Sequence, residues 1–182
     1  MSDLDVYPVG PDRWSDLEDL FGRGGASNGC WCQYWLLGTG YHQRDRIENR
    51  CDLEQQVRAG RAGLLAYQDA KPVAWARFTP RADLTWLTTR FSKFDFATDD
   101  AWSLACFFVT RKAQGRGAMR ALIRHAAQWG QANGVPIEAY PIDPSVPGAT
   151  RNRFSGVLSP FLAEGFVITG QLAKGRVVVR SA

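Results

Sequence analysis

Two glycines and a run of cations near the middle of the chain carry the most specific chemistry in the sequence. Gly115 and Gly117 have no Cβ, so an anion can approach the backbone closely there. Arg111, Lys112, Arg116, Arg120 and Arg124 surround them with positive charge, and no acidic residue lies between them. A helix starting just after this bend adds free N–H groups and the positive end of its dipole. A phosphate or pyrophosphate is the guest that such a site suits.

Three consecutive elements must position these groups. Trp102–Val109 is a compact apolar run, read as a buried strand. Thr110–Arg116 is a short basic turn. Gly117–Gln131 reads as a helix, with Met119, Leu122, Ile123, Ala126 and Gly130 on one face and a stop at Asn133-Gly134. The pattern of a P-loop, G-x-x-x-x-G-K-[ST], is absent. The dinucleotide fingerprint G-x-G-x-x-G fails because Arg120 stands at its third glycine, the one needed for close helix–strand packing.

A third pattern fits. Gln114-Gly115-Arg116-Gly117-Ala118-Met119, with Val109 five residues ahead of it, resembles the [RQ]-x-x-G-x-[GA] acyl-CoA loop of the GNAT N-acetyltransferase superfamily. Met119 departs from the usual Gly or Ala. Ile137-Glu138-Ala139-Tyr140 and Phe161-Leu162-Ala163-Glu164-Gly165-Phe166, similar to the family's Y-x-x-x-G-F, follow in family order. Cys30-Trp31-Cys32, followed by Trp35, resembles the N-terminal part of an actinobacterial-type GNAT subgroup. The other reading of Gln114–Gly117 is a plain basic turn.

Length and composition set the frame. The chain has 182 residues, a net charge of +4 and 45% hydrophobic residues, enough for one domain with a sizeable core. No apolar run is long enough to span a bilayer. The opening MSDLDVYPVG is acidic without an apolar stretch, so a cytoplasmic location is expected and a secretory leader is not. The mild basicity is accounted for by a phosphate-bearing ligand and does not by itself call for nucleic acid. Of the cysteines, Cys106 reads as a buried small hydrophobe. Cys30 and Cys32 are too close for a C-x-x-C pair; with His42 and Cys51 they could in principle bind a metal, but there is no second paired-ligand motif, so reduced thiols and no metal are expected.

The rest of the chain gives a strand at Leu4–Tyr7, then a helix from Pro11 with Trp14, Leu17, Leu20 and Phe21 inward. Asn28–Leu37 brings Trp31, Tyr34 and Trp35 together, either as core or as an aromatic wall of an acceptor pocket. A charged helix is expected over Gln43–Arg58 with Ile47, Cys51 and Val57 inward. Gly63–Gln68 and Pro72–Thr79 form a hairpin, with Trp75 and Arg77 on one face. Leu84–Leu87 reads as a short strand or turn, and Arg90–Asp100 as a loop. Val135–Tyr140 reads as a strand, Asp143–Arg153 as a loop, Ser155–Glu164 as a short helix, and Phe166–Leu172 with Arg176–Arg180 as a closing hairpin.

The expected fold is therefore α/β (α+β): a GNAT-like mixed, mostly antiparallel sheet of six to seven strands with helices on both faces, as a single domain over 1–182. The resemblance implies acetyl-CoA as acyl donor, with no metal, and an amine of a small molecule or peptide as acceptor. It implies backbone contacts from Phe107, Phe108 and Val109 to the pantetheine arm, and from Gln114, Gly115, Arg116, Gly117, Ala118, Met119 and Arg120 to the pyrophosphate. Glu138 is the expected base, matching the glutamate of an L-E-V pattern; the other reading of it is a strand carboxylate paired with a nearby arginine. The usual acid, a tyrosine, is replaced by Phe161, and an asparagine seven residues earlier by Phe154. Tyr140 is then a stand-in acid, alongside solvent. An aminoacyl-tRNA donor and a non-catalytic acyl-CoA-binding module are the alternatives, and a homodimer is a family-level expectation.

Overall fold

The computed structural model describes residues 4–96, 98, 100–149 and 153–181. Parts of the expected loops at Arg90–Asp100 and Asp143–Arg153 lie outside the described residues. Seven strands make one sheet: β1 (Asp5–Pro8), β2 (Gly63–Gln68), β3 (Lys71–Pro80), β4 (Trp102–Val109), β5 (Ile137–Ala139), β6 (Val167–Ala173) and β7 (Arg176–Arg180). Their order is β1-β2-β3-β4-β5-β7-β6, antiparallel except at the β4–β5 pair.

Helices cover both faces. On one, α5 (Ala118–Asn133) and α6 (Leu158–Ala163) bury Leu122, Ile123, Ala126 and Phe161 against Ala74, Ala76, Leu104 and Val179. The three-and-four spacing of those α5 residues gives a continuous apolar stripe, and Gly134 ends the helix in the left-handed conformation. On the other face lie α1 (Trp14–Phe21), α2 (Tyr34–Leu37), α3 (Arg46–Arg58) and α4 (Thr85–Arg90). There Leu17, Phe21, Leu53 and Val57 pack on Leu65, Trp75 and Cys106, while Trp35 and Leu87 pack beside Ala105 and Tyr140. Trp75 and Arg77 share that face, as their alternation with alanines implied, and both are buried.

Several local expectations are corrected. Ile47 is 61% exposed and Cys51 is exposed, because α3 turns Asn49, Leu53 and Val57 inward at intervals of four. Asn49 tolerates that position by donating to the Gly29 and Tyr41 carbonyls, both at 3.0 Å. The helix begins only at Arg46, where the Asp45 side chain accepts from the Ile47 N–H at 2.8 Å. Residues 84–87 are not a strand; Thr85–Arg90 is a helical turn and a half that buries Leu87. The helix expected at Ser155 starts at Leu158, so Pro160 sits in its first turn, where a missing N–H costs nothing. The strand expected over Val135–Tyr140 is only Ile137–Ala139.

Candidate active site

The sheet splits at its centre. β5 pairs with Trp102, Ser103 and Leu104 alone, so from Ala105 onward the β5 side of β4 has no strand partner. A bulge on β4 marks the point: Leu104 opposes Phe78 and Cys106 opposes Arg77, leaving Ala105 as an extra residue. Leu104 packs toward α5, Ala105 and Cys106 both toward the opposite face, and Phe107 toward α5 again. The Ala105 carbonyl accepts from the Trp35 indole N–H at 2.8 Å.

Where β4 ends, the Thr110 N–H donates to the Val73 carbonyl at 3.0 Å, and the chain turns into the glycine bend. Gly115 and Gly117 have φ of 73° and 86°, a region that side chains rarely enter. A Cβ at either would meet nothing within 4 Å, so backbone conformation and not crowding calls for glycine there. Gly117 caps α5 without any side-chain hydrogen bond, which leaves the first-turn N–H groups for a ligand. A cleft of about 930 Å³ lies over this bend, bordered by Val109, the loop through Arg120, and Val157 and Pro160 across from it. The structure thus brings Val109 and Gln114–Arg120 to one cleft. Phe107 and Phe108 do not line it. Their rings enter the two cores, against Phe161 at 5.9 Å and Phe21 at 5.5 Å, so only their backbone is left to face the split.

The charge reading needs correction. Arg120 and Arg124 both grip Glu164, with N–O distances from 2.7 to 3.0 Å. Arg124 first and Arg120 with it hold the Glu164 carboxyl below its usual range. The cations left at the bend without that neutralisation are Arg111, Lys112 and Arg116, all at its surface.

Glu138 and Tyr140, the expected base and stand-in acid, are both buried. Glu138 is fully buried, with Arg81 Nη1 at 2.9 Å from one oxygen and Arg180 Nη2 on the other. It lines neither the cleft over the glycine bend nor the smaller ones beside Phe91–Phe96 and beside Pro8–Arg13. Each oxygen accepts from one guanidinium group and the side chain is wholly buried, so the geometry gives Glu138 an ion-pairing role. The Tyr140 hydroxyl is also buried, 2.7 Å from Ser103 Oγ and 3.5 Å from Glu138. Burial, then the Glu138 charge, pushes this phenol up, which makes it a poor proton donor.

Phe161 is fully buried between Phe107 and Phe166, and Phe154 packs on Tyr34 at 4.9 Å, so neither family position offers a polar group. Trp31 and Trp35 are core residues and Tyr34 is half-buried, which favours the core reading of that segment over the aromatic wall. Cys32 and Cys106 lie side by side with sulfurs 3.2 Å apart. Among the described residues no group of three His, Cys, Asp or Glu side chains is arranged to hold a metal.

Sequence reasoning missed Ser155 and Arg176. Both are buried beside the split, and Arg176 Nη1 donates to Ser155 Oγ at 2.5 Å and to the Tyr140 carbonyl at 2.8 Å. No motif flags them; only the fold brings them together.

The described chain is thus an open mixed sheet, parted beside a glycine bend at a helix start. The model of the acetyltransferase (GNAT) family matches residues 30–146, and the chain belongs to that family. Among solved structures, a GNAT-family acetyltransferase from Listeria monocytogenes is 19% identical, with 98% of this chain and 94% of that one covered at a TM-score of 0.60. The GNAT domain of S. lividans PAT is 20% identical over 96% and 88%, TM-score 0.58. The PaiA N-acetyltransferase of Thermoplasma acidophilum, solved in complex with coenzyme A, is 8% identical over 98% of each chain, TM-score 0.56. At these identities the likeness is one of fold. No curated protein matches the chain. No helix among the described residues is long and apolar enough to cross a membrane.

Proposed function

We propose that this chain is an acetyl-CoA-dependent N-acetyltransferase, acting as one domain over 1–182 and passing the acyl group directly to an amine of a small molecule or peptide. The Cys30-Trp31-Cys32 segment places it, in this reading, with an actinobacterial-type subgroup. The observation that carries the proposal is the continuity of the unpaired β4 edge with the glycine bend and its cleft. The cleft's volume and its uncapped helix start fit a diphosphate carrier with an extended arm. When bound, that carrier supplies an activated acyl group.

The chain's own residues do the rest. Amides of Gln114–Arg120 hold the diphosphate, with Arg111, Lys112 and Arg116 supplying surface charge. The backbone from Phe107 to Val109 lies along the arm, and an N–H on that edge polarises the thioester carbonyl. Glu138, Arg81, Arg180 and Tyr140 hold the sheet together below the split.

Calorimetric titration with acetyl-CoA and CoA tests the reading, and so does thiol release in the presence of an amine panel. Saturable binding with amine-dependent thiol release supports it, and absence of binding at millimolar cofactor overturns it. A second reading, an acyl-CoA-binding module without turnover, is favoured by the apolar Phe154 and Phe161. It predicts binding with no thiol release from any amine.

A further inference from the structure

A smaller cavity lies on the α5 side of the sheet, at the end where β4 begins and so away from the glycine bend. Its volume is about 370 Å³, at the lower end of the range for small-ligand pockets. Phe78 near the end of β3, Trp102 at the start of β4, and His125 and Trp129, four residues apart on one face of α5, line it. Asp12 and Arg13 border it as well. It shares no lining residue with the cleft over the bend. From Ala118 to Trp129 is eleven residues at about 1.5 Å each, roughly 16 Å along the helix.

The three aromatic rings touch but stay splayed, with centroids 4.6 to 5.2 Å apart and the two indoles tilted by 46°. Both indoles and the His125 imidazole are only half-buried, so they keep accessible ring surface. Neither indole N–H nor the imidazole has a hydrogen-bond partner among the described residues. Burial pushes the imidazole down from its ordinary value, so His125 is neutral at pH 7, with one donor and one acceptor. The two charged side chains at the rim, Asp12 and Arg13, are bonded to each other, and Arg13 also lies over the Tyr7 ring. The cavity therefore offers flat apolar surface and open N–H donors without an uncompensated charge, a setting that disfavours ionic guests.

We propose that this cavity binds a small, neutral, planar heteroaromatic molecule, stacked on the Trp102–Trp129 pair and accepting a hydrogen bond from an indole N–H or from His125. A ring with acceptor nitrogens or carbonyls satisfies donors that the chain leaves open, and stacking on the indoles supplies most of the affinity. The site is independent of the acetyl-transfer reading and stands whether or not that reading holds.

Benzimidazole is the probe, and indole, which lacks the acceptor nitrogen, is its control. The chain has two histidines, so NMR of the full chain reads His125 directly, with His42 as internal reference. Benzimidazole is expected to shift the His125 ring signals and the Trp102 and Trp129 indole N–H signals saturably while His42 stays in place. It should bind at least about threefold more tightly than indole, the effect of one added hydrogen bond. Tetramethylammonium and benzoate, the cationic and anionic probes, should bind more weakly than either. Trp129→Leu should weaken benzimidazole binding at least about fivefold, the loss of one stacking surface. Three results overturn the inference: no saturable shift at His125, indole or an ionic probe binding as tightly as benzimidazole, or Trp129→Leu with unchanged affinity. Should Trp129→Leu fail to fold, nuclear Overhauser contacts between benzimidazole and the Trp129 ring in the wild type decide, and their absence overturns it.

Discussion

Glu138→Gln separates the ion-pairing role of this residue from proton transfer. The change keeps the side-chain volume and one carbonyl oxygen but replaces the other oxygen with an NH₂ that faces a guanidinium. Breaking a buried pair by neutralising one partner costs about 3–5 kcal/mol, because the other charge stays buried. Two features point to the lower end. Arg180 is 22% exposed and is partly hydrated, and Arg81 also donates to the Thr98 carbonyl. About 3 kcal/mol in a chain of this size corresponds to a Tm lower by about 6–12 °C. The glycine bend lies apart from this cluster, so CoA affinity should stay within about twofold. Urea unfolding followed by circular dichroism, with CoA titration in the same buffer, measures both. A variant as stable as wild type that binds CoA yet transfers no acyl group would refute the ion-pair argument and restore Glu138 as the base.

Three further outcomes are expected. Gly156→Ala strains a residue at φ 85° and drives a methyl into Met119, with Phe161 and Phe107 at 3.3 and 3.4 Å. Unfolding should show a loss of at least about 2 kcal/mol, and CoA affinity should fall because Val157 and Met119 border the cleft. Glu164 has a folded pKa below its unfolded value of 4.5, so its pairing stabilises the protein above pH 4.5. That contribution fades as pH falls through the lower folded value, and Glu164→Gln should flatten the acid limb of a stability–pH profile relative to wild type. Native-state alkylation should modify exposed Cys51 first, and Cys32 and Cys106 only on unfolding, as mass spectrometry of the labelled peptides would show.

What could be read from the sequence was local. The β4–bend–α5 unit is contiguous, and its strand, glycines and helical stripe are each set by neighbours within a few residues. Partners that arrive from a distance could not be read this way. Glu164 reaches Arg120 and Arg124 from forty or more positions downstream and engages two of the five cations that the linear stretch suggested. Glu138 meets Arg81 and Arg180 through pairing of β5 with β7 and through the turn after β3. α3 was misfaced because Asn49, polar in type, belongs to its inward stripe; its two backbone acceptors come from other segments. Arg176 and Ser155 stand in no motif, and only the folded sheet joins them.

The surplus residue in the central strand has an evolutionary reading. Excising Ala105 would set Leu104 and Cys106 against consecutive β3 residues, Phe78 and Arg77, and make the β3–β4 pair an uninterrupted ladder. The parting from β5 begins at this same residue, so such a deletion would straighten the strand where the opening starts. Descendants that abandoned the reaction would be expected to straighten here, so strand length at this one point is a marker for telling working members of the lineage from retired ones.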